Sequence, residues 1–103
     1  MIFRRGRFHD LVERQLDVFE SETDLLAEAA EADAAWSRAG ADESEELYGD
    51  YQLVVDAIGE AVYEIRETYA ATLEPETAEG YRAEFDRAAR KRLGRLASFL
   101  DED

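Results

Sequence analysis

Pro75 is the only proline in this chain, and its six glycines stand at positions 6, 40, 49, 59, 80 and 94. So few breakers leave three long windows, about 7–38, 43–72 and 75–100, in which nothing stops a helix from running on. The apolar residues inside these windows recur at spacings of three and four, the period of one helix face. In the second window Leu47, Tyr51, Val54, Ile58, Val62, Ile65 and Tyr69 form the main stripe, and Tyr48, Val55 and Leu73 widen it. Its other face carries Glu45, Asp56, Glu60, Glu64 and Glu67. A stripe that wide suits a middle helix touching two neighbours.

The first window offers Val12, Phe19 and Leu26 in one column and Leu11, Val18, Leu25 and Ala32 in another, with Phe8, Ala29 and Trp36 between them. The third offers Ala78, Tyr81, Phe85, Ala88, Leu96, Phe99 and Leu100. Gly40 fits a left-handed end to the first helix. Asp42 with Glu45 reads as an acidic capping box for the second. Pro75 fits the first position of the third, followed by Glu76 and Glu79 where the helix dipole favours negative charge. Ser21-Glu22-Thr23-Asp24 offers a second starting point inside the first window, where a kink is expected.

Short connections force sequential helices antiparallel. The expected fold is therefore all-α, an up-down-up three-helix bundle, with a helical dimer as its natural extension. At 103 residues the chain fits one domain. Residues 7–100 form that domain, between a flexible basic N-terminus at 1–6 and an acidic tail at 101–103.

Charge narrows the function classes. There are 26 acids against 12 bases, a formal net charge of −14, which repels bare nucleic acid and anionic membranes and favours basic partners. No apolar run reaches the ~20 residues a membrane helix needs, and the basic start is followed by no apolar stretch of the kind a secretory signal requires. A cytoplasmic protein is expected. The one basic cluster, Arg87, Arg90, Lys91, Arg92 and Arg95, has an internal answer in the acids that end the first helix and begin the second.

Two polar residues interrupt apolar stripes at matching levels, Glu22 on the first helix and Arg92 on the third. The expectation is a partly buried Glu22–Arg92 ion pair, with Gly59 giving it room and register as its role.

Chemistry finds little purchase. The chain has no cysteine, which removes disulfides and thiolate catalysis. His9 is the only histidine, so the Glu-x-x-His pairs of di-iron bundles are absent. An all-carboxylate metal site from Glu13, Asp17, Glu60 and Glu64 is the remaining metal option. No glycine-rich phosphate loop or nucleophile turn is present. No catalysis and no cofactor are expected.

The stretch Ala34-Ala35-Trp36 before a glycine-containing turn is similar to that of WXG100 secretion proteins. However, no glycine stands two residues after Trp36, and a third helix is extra, so that family is not assigned. The expected function is protein–protein interaction or self-association, with the chain itself or a basic protein as partner and no direct nucleic-acid or membrane contact. The expected surface is Leu53 and Tyr63 with the acidic row Asp56, Glu60, Glu64 and Glu67. The alternatives are a carboxylate metal-binding bundle and an acidic DNA mimic that regulates a nucleic-acid-binding protein.

Overall fold

The computed structural model describes residues 6–102, with Ser98, Phe99, Asp101 and Glu102 described in backbone only. The expected flexible segment up to residue 5, the end of the acidic tail and the core role of Phe99 lie outside what is described. Among the described residues all regular structure is helical, in four α-helices where three are expected: α1 (His9–Glu22), α2 (Leu25–Ser37), α3 (Ser44–Ala70) and α4 (Pro75–Leu93). A 3₁₀ coil (Gly94–Glu102) follows α4.

The extra helix comes from a break inside the first window. Thr23 is extended (φ −92°, ψ 147°), and its N–H still reaches back to the Phe19 carbonyl. Its Oγ1 then accepts the N–H of Leu25 at 3.1 Å, so one residue closes α1 with its backbone N–H and opens α2 with its side chain.

Other junctions also depart from expectation. Gly40 is not left-handed, because among the described residues the only positive φ belongs to Gly94. Glu43 rather than Asp42 precedes α3, and no side chain caps that end, so the capping box does not form. Backbone bonds from Glu43 and Ser44 to the Gly40 carbonyl make the turn instead. Pro75 does open α4. The third window stops early at Gly94, whose φ of 56° and ψ of −128° suit glycine alone. The chain then folds its last residues back onto α3 and α4.

The start of α1 is held from a distance. The Phe8 N–H donates to both Glu84 carboxylate oxygens, at 3.2 and 3.4 Å, so a side chain of α4 satisfies an otherwise orphaned donor. Gly6 permits this approach, since a Cβ there would collide with the Glu84 carboxylate.

The core runs through all the elements: Val12, Leu16 and Phe19 of α1, Ala29 of α2, Ile58, Val62 and Ala70 of α3, Tyr81, Phe85, Ala89 and Leu93 of α4, then Ala97 and Leu100. Tyr81 is fully buried, and its hydroxyl donates to Gln15 Oε1 at 2.8 Å. Burial, partly opposed by that hydrogen bond, pushes the phenol above its ordinary pKa. Helix α1 packs on α4, α2 on α3, and α3 on α4. The molecule is elongated, 54 × 29 × 24 Å, and α1 leaves an open channel beside α3.

Candidate functional site

Two sets of ion pairs bind the helices together. Arg92 on α4 faces α1, where it meets Glu13 and Asp17 at 2.7 Å each and Glu20 at 3.0 Å. These three acids, the hydrogen bond to Asp17 first, hold the guanidinium above even its ordinary pKa. The expected Glu22–Arg92 pair does not form. Glu22 is exposed at the last position of α1. The cause is the Thr23 break: without a continuous first helix, the acids level with Arg92 are Glu20, Asp17 and Glu13, about half a turn to two and a half turns before Glu22. Arg95 does find an acid of α2 as expected, Asp33 at 2.8 Å.

The second set joins α3 to α4. Arg66 is buried, and it donates to Asp86 at 2.8 Å and Glu67 at 2.9 Å. Burial alone would lower its pKa, but the two carboxylates more than offset this and the net shift is upward. Glu67 also takes both Nε and Nη2 of Arg82 at 2.9 Å. The Arg82 bond, the largest influence, holds the Glu67 carboxyl below its usual range; burial pushes the other way, and Arg66 adds a further downward pull. Such a carboxyl stabilises the fold above its ordinary pKa, and that stability is lost as pH falls through the lower folded value. Urea midpoints measured against pH are expected to drop below about pH 4.3. In Glu67→Gln the midpoint is expected to be lower at neutral pH, and the acid limb flatter.

Glu67 is thus committed to structure and leaves the expected acidic row. The rest of that row lies on the exposed side of α3. Asp56, Glu60 and Glu64 are exposed, as are Leu53 (68%) and Tyr63 (52%). The two apolar residues are ten positions apart, about 15 Å along the helix, so they form no patch. Tyr63 is also covered on one face by the Arg66 guanidinium, 5.1 Å from the ring centre.

The four carboxylates considered for a metal do not converge. Glu13 and Asp17 turn to Arg92, while Glu60 and Glu64 are exposed on α3. Among the described residues no three Asp, Glu or His side chains are arranged to hold an ion. Trp36, Tyr48 and Tyr51 form an aromatic cluster, but their ring centres lie only 4.8 to 6.4 Å apart. Rings in mutual contact leave no room for a cation between them, and the outer face of Tyr51 already carries Arg95. His9 lines a cleft between α1 and α4 with Glu13, Glu84, Arg87 and Lys91, with no nucleophile beside it.

An apolar opening lies elsewhere, between α1 and α3. Two shallow depressions share Gln15, Ala61 and Ile65 and run together as one groove between α1 and α3. Its walls are Leu11, Val18 and Phe19 on one side and Ala61, Ile65 and Tyr69 on the other. Arg14, Glu22 and Glu64 stand on the rim. Val18, expected in the core, is 46% exposed here. Sequence reasoning missed this groove because it assigned both apolar columns of the first window to one core. The missing signal was Leu16, fully buried and outside both columns, which rotates the inward face of α1 away from Val18.

The chain has no significant match to any family model, curated protein or solved structure. No described helix is long and apolar enough to cross a membrane.

Proposed function

We propose that this protein is a small acidic helical module that binds protein, without catalysis of its own, in the cytoplasm. Its partner is a second copy or a basic protein, and its docking face is the α1–α3 groove. The observation that carries the reading is the exposure of Val18 at the centre of an apolar channel that continues through Leu11, Ala61 and Ile65. An open apolar channel with a charged rim is the form of a helix-receiving groove. The exposed row Asp56, Glu60 and Glu64 next to it supports the reading in which a basic protein docks.

The test is capture from the source cell by the tagged protein, comparing wild type with Val18→Asp/Ala61→Gln. Circular dichroism checks that the variant keeps its helices. Proteins held by the wild type, its own untagged copy included, are expected to be lost from the variant. Retention of the same set by both would overturn the groove as the docking face.

A further inference from the structure

Four arginines of this acidic protein, Arg66, Arg82, Arg92 and Arg95, hold carboxylates. Arg14 does not. It is exposed on the rim of the groove, four residues before Val18, and no described residue pairs with it. Four residues after Val18 stands Glu22, also exposed, and no described residue pairs with it either. Residues four apart follow one another along a helix face. Arg14, Val18 and Glu22 therefore make a column with an apolar centre and opposite charges about 6 Å to either side.

That column is complementary to itself when reversed. We propose that a second copy of this chain docks antiparallel on α1, with a two-fold axis at Val18 that sets Arg14 of each copy against Glu22 of the other. The inference rests on the docking face proposed above and names its occupant. A two-fold interface uses the same patch twice, so each complementary pair occurs twice. A parallel arrangement would set Arg14 against Arg14 and Glu22 against Glu22, which repel. Leu11 and Val18, seven apart, line the groove from the same face of α1, and the small Ala61 on its α3 wall lets a second helix approach. The contact column carries no net charge, although the chain as a whole carries −14.

This arrangement also sets the sign of the salt response. Two copies of −14 repel at long range, and salt screens that repulsion with a Debye length of about 8 Å at about 0.15 M. Self-association therefore strengthens as salt is added from low ionic strength, whereas docking of a basic protein weakens.

The experiment is sedimentation equilibrium of the full chain and three surface variants at about 0.15 M salt. Wild type is expected to reach a dimer. Arg14→Glu and Glu22→Arg are each expected to weaken it about tenfold, because each reversal acts at two contacts. Arg14→Glu/Glu22→Arg restores the dimer. An equimolar mixture of the two single variants is expected to pair as a heterodimer more tightly than either associates alone. All four chains keep the core unchanged. A wild type that stays monomeric, single variants that match it, or a mixture with no gain would each overturn the proposal. If the wild type is monomeric but the groove variant still loses a captured protein, the two-fold fails and the docking face stands. If neither effect appears, both fail.

Discussion

Phe85→Ala is expected to remove about 3–5 kcal/mol of unfolding free energy, the usual cost of truncating a buried phenylalanine in a packed core. Phe85 has no exposed surface. It packs beside Tyr81, with ring centres 6.0 Å apart, within the core that α1, α3 and α4 share. A domain of this size has about 5–15 kcal/mol in total, so the variant sits near the edge of folding. Urea unfolding followed by circular dichroism measures the loss. The control is Leu53→Ala, which is 68% exposed and should change stability by less than about 0.5 kcal/mol. Equal losses at the two positions would mean that the core has been misassigned.

Arg66→Ala is the second large effect, expected at roughly 2–3 kcal/mol near neutral pH. Removing one partner of a buried ion pair typically costs more, about 3–5 kcal/mol. Here the side chains of Asp86 and Glu67 keep 22% and 27% exposure, so water takes up part of the loss. Glu67 also retains Arg82. The penalty should shrink in acid, where the orphaned carboxylates take up protons. A double-mutant cycle with Asp86→Ala checks the mechanism. Because the pair acts as a unit, the double variant should cost less than the sum of the single variants. Additive losses would place the cost of Arg66→Ala in the packing of its stem rather than in its charge.

These two residues differ in how plainly the sequence shows them. Phe85 lies on the apolar stripe of the third window and needs only helical spacing to be placed. Arg66 breaks the column Ile58, Val62, Ala70 at its third position, and a charged residue there must either leave the core or bring acids into it. Its partner Asp86 lies twenty positions away on the next helix, and nothing in local spacing selects it over the neighbouring acids.

The helical class and the Pro75 start of α4 follow from breakers and period. The Thr23 break turns on one hydroxyl accepting one N–H, a choice that residues 21–24 permit without forcing. That break misplaced the partner of Arg92. With Glu22 freed from the core, its exposed position at the end of α1 becomes legible only in three dimensions. The groove needs one further fact, that α1 leans on α4 rather than α3, and this depends on Leu16 and not on the width of the apolar stripe. By contrast, Leu53, Asp56, Glu60, Tyr63 and Glu64 were legible as an outward face, because a helix as long as α3 separates its faces cleanly. Glu67 lies on that same stripe, but Arg66 and Arg82 draw it into the α3–α4 contact.

The most direct measurement of the central claim is a dilution series of amide spectra by nuclear magnetic resonance, with every residue assigned. The account predicts concentration-dependent shifts confined to the outward face of α1 around Arg14, Val18 and Glu22 and to the facing part of α3 around Ala61 and Ile65. Those of α2 should stay fixed. Spectra that do not change with concentration, or shifts centred on α2, would contradict a self-docking face between α1 and α3.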